Sequence, residues 1–253
     1  MRQLTFKITA NEALTPLINS MWLEGVDEEV RKTVKSVVPG QFINAAIEGC
    51  YLRRPVSVCD VQNDKIRIVY KVVGKGTALM REMHPDTSLD ILVPLGNGFD
   101  ISRSGRRPLL IGGGVGVPPL LFLARKLKES GVTPDVVLGF NSGNEIILAE
   151  EFRSLGCDIQ IATLDGSTGQ KGFVTDTRAV KDSQSTNSFY YACGPLPMLR
   201  AIQGQLGIDG QLSVEERMGC GFGICMGCTC HTKSGARQVC THGPVFQKDD
   251  IIL

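Results

Sequence analysis

Residues 108–130 read Pro-Leu-Leu-Ile-Gly-Gly-Gly-Val-Gly-Val-Pro-Pro-Leu-Leu-Phe-Leu-Ala-Arg-Lys-Leu-Lys-Glu-Ser. The apolar run Pro108–Gly112 predicts a short buried strand that leads into a glycine loop. From Leu120 onward, apolar residues recur at i, i+3, i+4 and i+7, which predicts a helix over Pro118–Ser130. Proline suits its first turn, where the missing N–H costs nothing. This strand–loop–helix unit indicates an α/β fold.

Strands and helices continue to alternate after this unit. Such an alternation is typical of a parallel sheet with helices on its faces. The further predicted elements are strands over Asp135–Phe140, Asp158–Thr163 and Ser188–Cys193, and helices near Glu145–Leu155 and Leu196–Leu206.

The first hundred residues have a different pattern, with short β-rich runs separated by Gly, Pro and Asn/Asp turns. Strands at this spacing favour a small barrel or sandwich. The predicted strands are Gln3–Thr9, Gln41–Ile47, Pro55–Cys59, Lys65–Val73 and Leu89–Val93. From about Gly207 the chain is rich in glycine and cysteine and is predicted to be a loop-dominated metal module. We therefore predict three parts, residues 1–101, 102–207 and 208–253.

Composition narrows the class of protein. The 253 residues carry a formal net charge of +1, which gives no electrostatic attraction to nucleic acid or anionic lipid. No run of eighteen apolar residues is present, so no membrane span is expected. The first ten residues lack the apolar block of a secretory signal, and we expect a cytoplasmic protein. Five of the nine cysteines fall between positions 220 and 240, which in a reducing compartment favours a metal site over disulfides.

The spacing of these cysteines is specific. Cys220, Cys225, Cys228 and Cys240 form C-x4-C-x2-C-x11-C, and the first two intervals are those of plant-type ferredoxins with a 2Fe–2S cluster. The interleaved glycines would let backbone N–H groups approach the sulfurs. A structural zinc site is the alternative, but a zinc ribbon normally brings two C-x2-C pairs. Cys230 is a surplus thiol that the spacing alone does not exclude as a ligand.

Three segments near predicted strand ends are candidates for nucleotide binding, because open α/β sheets bind ligands beyond the carboxyl ends of their strands. In the first segment, residues 112–116, a glycine loop at a helix N-terminus can approach a pyrophosphate, although close packing would also explain the glycines. In the second segment, residues 193–195, the alternative to nucleotide binding is a cysteine that is buried only for packing. The third segment, residues 165–169, is by itself only a turn. The candidates are Gly112, Gly113, Gly114 and Gly116; Cys193, Gly194 and Pro195; and Asp165 in Asp-Gly-Ser-x-Gly.

In the first region, Arg54-Pro55-Val56-Ser57 would place a guanidinium and a hydroxyl on one strand, which suits a phosphate or an isoalloxazine edge. An exposed arginine at a strand start is the alternative. Lys75-Gly76-Thr77 is a plausible turn.

Together the motifs resemble the ferredoxin–NADP reductase superfamily and, within it, the electron-transfer subunits of NAD-dependent (type B) dihydroorotate dehydrogenase. The resemblance covers nearly the whole chain in one order. Its further pieces are PGQF at 39–42, LRRPVSV at 52–58, VYKVVGKGT at 69–77, LGNGF at 95–99, DGSTGQKGFVTD at 165–176, YACGPLPML at 191–199 and HGPVF at 242–246.

The resemblance implies a flavin-binding β-barrel, an NAD-binding α/β domain and a C-terminal 2Fe–2S module. It places FAD contacts on Arg54, Pro55, Val56, Ser57, Val69, Tyr70, Lys71, Gly76 and Thr77. It makes Cys220, Cys225, Cys228 and Cys240 the cluster ligands and puts Cys193 near the nicotinamide.

The implied function is transfer of electrons from an FMN-containing dihydroorotate dehydrogenase subunit, through 2Fe–2S and FAD, to NAD. The resemblance also implies a heterotetramer of two catalytic and two electron-transfer subunits that acts in pyrimidine biosynthesis. Two alternatives stay open. One is a related flavin and iron–sulfur reductase subunit serving a sulfide dehydrogenase, a ferredoxin transhydrogenase or a hydrogenase. The other is a zinc-stabilised binding module. The residues themselves do not distinguish NAD from NADP.

Overall fold

The computed structural model describes residues 1–253 and contains three sheets, of which the first closes into a six-stranded antiparallel barrel. Two helices, α1 (Glu28–Lys35) and α2 (Lys75–Arg81), lie in its connections. Around the barrel the strands follow the order β1-β2-β5-β4-β3-β6. They are β1 (Arg2–Thr15), β2 (Ile18–Gly25), β3 (Phe42–Ala45), β4 (Arg54–Gln62), β5 (Lys65–Lys71) and β6 (Ser88–Leu95).

The barrel confirms the β-rich prediction for this region, but β2, α1 and α2 were not predicted. In β2, residues 18–21 are all buried, so the polar–apolar alternation of a strand with one exposed face is absent. Helix α1 begins at a cap, because the carboxylate of Asp27 accepts the Val30 N–H at 2.9 Å.

The second sheet has seven strands, and its core is parallel. Across the sheet the order is β10-β9-β8-β7-β11-β12-β15, with β15 (Val245–Gln247) antiparallel to β12. Its strands and helices up to residue 213 are β7 (Leu109–Gly113), α3 (Val117–Glu129), β8 (Asp135–Phe140), α4 (Ala149–Ser154), β9 (Asp158–Thr163), β10 (Gln170–Lys171), α5 (Arg178–Lys181), α6 (Ser183–Thr186), β11 (Tyr190–Cys193), α7 (Leu196–Gln205) and β12 (Gly210–Ser213).

The helix expected near Glu145–Leu155 is shorter than predicted. A 3₁₀ turn over Gly143–Glu145 comes first, and α4 begins only at Ala149. Between them Ile147 and Leu148 are buried, and Leu148 has a φ of +60°, which ends the regular backbone there. Burial of these two apolar side chains against the sheet overrides the helical preference of the segment.

The last part of the chain completes the second sheet and adds a third. Strand β13 (Thr229–Thr232) pairs with β14 (Gly235–Gln238) and with β16 (Ile251–Ile252), and α8 (Val239–His242) precedes β15 (Val245–Gln247). Strands β12 and β15 both belong to the sheet of the middle region. The cysteine-rich segment is therefore anchored at both ends by one sheet, and the division at residue 208 stays a prediction.

The barrel and the second sheet are held together by apolar packing and by buried charge. Phe122 of α3 is fully buried in the same apolar cluster as the barrel interior. On the next turn of α3, Arg125 binds Asp60 of β4 through both carboxylate oxygens at 2.8–3.1 Å, and the Asp60 side chain is 0% exposed. Since α3 starts at the glycine loop, these contacts set where that loop lies relative to the barrel. No helix in the structure has the length and apolar character to cross a membrane.

Candidate active site

A cleft of about 310 Å³ lies where the barrel, the second sheet and the cysteine-rich segment meet. Ten of the predicted site residues line it, from four separate places in the sequence. They are Pro55, Val56 and Ser57 of β4, Lys71 of β5, Gly113, Gly114 and Gly116 of the glycine loop, and Cys193, Gly194 and Pro195 at the carboxyl end of β11. Parts of the predicted barrel and nucleotide motifs thus meet in one cleft, although Gly112 does not line it.

A second cleft, of about 390 Å³, adjoins the first and shares the glycine loop and Pro195 with it. Its far side is largely apolar and includes Phe173, Met198 and Ala201. Two clefts joined at a glycine loop provide a long groove, with a polar stretch beside a sheet edge and an apolar end. A dinucleotide fits such a groove, because its phosphates are polar and its bases are largely apolar.

The glycine loop needs its glycines for two separate reasons. Gly114 has a φ of +52°, a conformation that other residues rarely adopt. Gly116 lies so close to the strand beside it that a Cβ there would come within 2.3 Å of the Cys193 carbonyl oxygen. The loop therefore presents bare backbone at the carboxyl ends of β7 and β11, where a phosphate could approach it.

Cys193 is the one thiol in the first cleft. Burial raises the pKa of this thiol to about 12, although contact with the Ser213 hydroxyl lowers it. The thiol therefore stays protonated at neutral pH and has no thiolate to act as a base or nucleophile. The Cys193 side chain can therefore only make packing contacts with a ligand, as a small and weakly polar group.

The other predicted barrel residues fall into two places. Arg54 and Gly76 are in contact, since a Cβ on Gly76 would lie 2.0 Å from the arginine Nε, and the hydroxyl of Thr77 accepts N–H groups at 2.9 and 3.2 Å beside them. This group adjoins β4 but does not line either cleft. The Tyr70 hydroxyl donates to Asn11 at 3.0 Å within the barrel, and Val69 is buried, so both leave only their main chains for a ligand.

Asp165 lies in the exposed turn after β9, outside both clefts. Hydrogen bonds from the Ser167 hydroxyl, at 2.6 Å, and from its N–H, at 2.9 Å, lower the pKa of this carboxyl. The turn also contacts the segment after β8, because the Ser167 hydroxyl accepts the Gly143 N–H at 2.7 Å. The result is a fixed negative charge next to Asn141 and Glu145, which line both clefts.

The cysteine loop 219–227 directs backbone N–H groups at its two thiols. Cys220 Sγ accepts from Ile224 at 3.3 Å and from Phe222 and Cys225 at 3.5 Å. Burial by itself would raise the pKa of Cys220, but these N–H groups outweigh it and lower that pKa to about 6. Cys225 Sγ accepts N–H groups of Cys220 and Gly227 at 3.4 and 3.5 Å. The loop thus stabilises the thiolate of Cys220, the form that binds metal.

The remaining cysteines lie deeper. Cys228 and Cys240 are both buried and adjacent, and burial followed by contact with Cys228 raises the pKa of Cys240 to about 12. Burial also raises the pKa of Cys230, which packs in the same apolar cluster. No three His, Cys, Asp or Glu side chains converge as a mononuclear metal site. The four spacing-predicted thiols are arranged as two neighbouring pairs, which suits a centre with two irons and two thiolates on each.

Several cleft residues were missed by sequence reasoning. The first cleft is also lined by the end of β12 and the segment from there to the cysteine loop, and by Phe42 of β3. The residues before the loop are Ser213, Val214, Glu215, Glu216 and Met218. Their position next to a recognised motif was the only available signal. Asn141 and Glu145 could have been found from their place after the strand β8.

Comparison with known proteins gives the family. The sequence pattern of the "Iron-sulfur cluster binding domain of dihydroorotate dehydrogenase B" matches residues 215–252, and that of the "Oxidoreductase NAD-binding domain" matches residues 110–204. The dihydroorotate dehydrogenase B (NAD(+)) electron transfer subunit of Bacillus velezensis is 39% identical, with 100% of each chain covered. The same subunit of Geobacillus sp. is 42% identical over 85% of this chain and 87% of that one.

The chain belongs to the family of dihydroorotate dehydrogenase B (NAD(+)) electron transfer subunits. A solved structure of an NADH-dependent reduced ferredoxin–NADP oxidoreductase has the same fold, with a TM-score of 0.86 and 27% identity over 100% of this chain and 91% of that one. The predicted ferredoxin reductase-like fold, the oxidoreductase function and the cofactor set of FAD, 2Fe–2S and NAD are confirmed. The alternative of a reductase subunit from another complex is not favoured, because the dihydroorotate dehydrogenase B relatives share more of the sequence.

Proposed function

We propose that this chain takes electrons from an FMN-containing subunit that oxidises dihydroorotate and passes them, through a 2Fe–2S cluster and FAD, to NAD+ in pyrimidine biosynthesis. When bound, the cluster carries single electrons and FAD exchanges a hydride with nicotinamide. The observation that carries the proposal is one cleft lined by the barrel strand β4, the glycine loop and the segment leading to Cys220.

The barrel side would hold FAD. Pro55, Val56 and Ser57 line the first cleft along one strand and Lys71 lies on the next, which suits the flat edge of an isoalloxazine. Arg54, Gly76 and Thr77 form an adjoining group in which the guanidinium is suited to phosphate. The main chains of Val69 and Tyr70 complete the set taken from the family resemblance.

The sheet side would hold NAD. Gly113, Gly114 and Gly116 would bring backbone to the pyrophosphate at the start of α3, whereas Gly112 lies against Val117 and Leu120 and lines neither cleft. Gly194 lines the first cleft and Pro195 lines both. The turn that holds Asp165 contacts the segment after β8 that lines both clefts, and the Asp165 carboxylate would repel the 2′-phosphate of NADP bound beside it. This charge supports NAD as the nucleotide.

Hydride transfer needs no proton from the chain at the reacting carbon. The Cys193 thiol is neutral and packs at the carboxyl end of β11, where it would hold the nicotinamide face and help to exclude water. The chain's contribution is therefore binding, orientation and exclusion of solvent.

Cys220, Cys225, Cys228 and Cys240 would ligate the cluster as two pairs, one on each iron. The N–H groups aimed at Cys220 and Cys225 suit thiolates and bridging sulfides. Cys230 is buried in β13, and the C-x4-C-x2-C spacing is complete without it. We assign it a packing role.

The catalytic partner would dock over the cysteine loop. Ile224 is 77% exposed and Met226 is 58% exposed, and both flank Cys225 at the surface. Exposed apolar side chains grouped at one point mark an interaction site. A heterotetramer with two subunits of each kind, located in the cytoplasm, is the assembly we propose.

The test is co-purification of this chain with the catalytic subunit, followed by flavin and iron quantitation and assay of NAD-dependent orotate formation. The expected result is one FAD and one 2Fe–2S cluster per chain. The chain alone should oxidise NADH with artificial acceptors and leave dihydroorotate unchanged. A colourless protein that contains zinc, or an assembled complex inactive on dihydroorotate, would contradict the proposal.

A further inference from the structure

Asn44 occupies an unusual position on the outer wall of the barrel. Along β3, Ile43 and Ala45 belong to the barrel's apolar interior, whereas Phe42 belongs to the cluster that contains Cys228 and Cys240. Because side chains alternate along a strand, Asn44 points outward with Phe42. It is nevertheless only 1% exposed, since the cysteine-rich segment covers it.

The side chain of Asn44 is a direct link to that segment. Its Nδ2 donates to the main-chain carbonyl of Cys220 at 3.1 Å, across 176 positions of sequence. Its Oδ1 is buried without a hydrogen-bond partner. Exchanging the two amide atoms would face an oxygen against the Cys220 carbonyl, so the donor role is set by the chemistry.

The loop approaches Asn44 closely from the other side. A Cβ on Gly221 would lie 2.5 Å from the Asn44 amide nitrogen, and Gly221 has a φ of +80°. The Gly221 backbone is therefore packed directly against the Asn44 side chain, and a larger residue at position 221 would displace one of them. A buried amide with an unpaired oxygen is costly, which argues that the hydrogen bond it makes has a use.

Asn44 is also one strand away from the flavin motif. In the β3–β4 ladder, Asn44 lies opposite Pro55 and Phe42 lies opposite Ser57. Both partners on β4 line the first cleft, as Phe42 does. A continuous rigid path thus runs from the cleft wall through two paired strands and one side-chain hydrogen bond to Cys220.

We infer that Asn44 is a positioning residue that holds the cysteine loop at a set distance and orientation from the flavin wall, and so sets the rate of electron transfer between cluster and flavin. This rests on the proposed function, because Cys220 must be a cluster ligand and β4 must border FAD. Asn44 lines neither cleft, so we expect hydride transfer not to depend on it.

The test compares Asn44→Leu with Asn19→Leu in the complete chain loaded with both cofactors. Asn19 is the matched control, because it is a buried barrel asparagine whose Oδ1 also lacks a partner, and it has no hydrogen bond to the cysteine loop. Three quantities are measured: flavin reduction by NADH, cluster reduction after a laser pulse reduces the flavin, and the EPR g values of the reduced cluster. A fourth, hydrogen exchange of residues 219–227, is measured on the iron-free chain.

In Asn44→Leu, cluster reduction should be roughly tenfold slower, because small displacements of a supported site are costly. The g values should shift, exchange in the loop should be faster, and flavin reduction by NADH should match the wild type. Asn19→Leu should change none of these. If Asn44→Leu does not fold, Asn44→Ser, whose hydroxyl is too short to reach the carbonyl, is measured in its place.

Equal cluster-reduction rates and g values in the two variants would overturn the inference while leaving the proposed function intact. A wild-type chain that binds neither FAD nor a cluster would instead overturn the proposed function, and the inference with it.

Discussion

At the scale of single residues, Cys193 provides a test of what the thiol in the cleft does. Its pKa of about 12 means that the neutral thiol is the only form present between pH 6 and 9. Because the folded-state pKa is raised, any stability from the protonated thiol is present below the unfolded pKa and lost only as pH rises toward 12.

Cys193→Ala should therefore slow flavin reduction by NADH by about tenfold, through looser packing against the nicotinamide. The shape of the pH–rate profile from pH 6 to 9 should not change, because no titrating group has been removed. Stopped-flow measurement of flavin reduction at several pH values is the check. Loss of one limb of the profile together with a fall of roughly a hundredfold or more would indicate general acid–base catalysis instead.

Cys230 and Cys240 are both buried thiols, yet we expect opposite results from their removal. Cys240→Ala should abolish 2Fe–2S binding, because one iron loses a ligand. Cys230→Ala should keep the full iron content and lower the free energy of unfolding by only about 1 kcal/mol, as for a small buried side chain. Iron analysis and the visible spectrum distinguish the two. A colourless Cys230→Ala protein would contradict the assignment.

At the scale of elements, the ion pair between α3 and β4 holds the glycine loop against the barrel. Arg125→Ala should lower the free energy of unfolding by about 3 kcal/mol, because it leaves the fully buried Asp60 carboxylate without its cationic partner. Lys126→Ala is the control on the same helix, since its pair with Glu129 is exposed and should contribute less than about 0.5 kcal/mol. Urea denaturation measures both. Equal midpoints would show that α3 is held by Phe122 and its apolar neighbours alone.

The limits of the strands show which elements can be predicted from local sequence pattern and which cannot. The strands Asp135–Phe140 and Asp158–Thr163 were predicted with their observed limits, because each is a short run bounded by turn residues. The strand β2 was not predicted, since its first residues are buried on both faces and show no alternation. Polar and apolar residues alternate along a strand when only one of its faces is buried, and this alternation is lost when both faces are buried.

At the scale of the whole molecule, the exposed apolar tip of the cysteine loop should control assembly. Ile224→Glu should weaken binding to the catalytic subunit at least about tenfold, because a carboxylate would have to be desolvated at the interface. Ile252→Glu is the matched control, an isoleucine 56% exposed in β16, outside the loop. Analytical size exclusion of the mixed subunits, with iron content checked first, provides the comparison. Equal complex formation by both variants would place the partner elsewhere.

Local sequence patterns predict the separate parts of this protein: a β-rich first part, a strand–glycine–helix unit, and cysteines at ferredoxin spacing. These signals are local, because periodicity, turn residues and ligand spacing depend on neighbours within a few positions. Family membership followed from the order of these motifs along the chain.

Which of these parts come into contact is visible only in the folded chain. The first cleft joins residues from β4, the glycine loop, β11 and the segment before Cys220. The hydrogen bond from Asn44 to Cys220 crosses 176 positions, and the two strands that anchor the cysteine-rich segment belong to the middle sheet. Such contacts arise from chain topology and burial, and no local pattern encodes them, because each partner alone is an ordinary asparagine, glycine or strand.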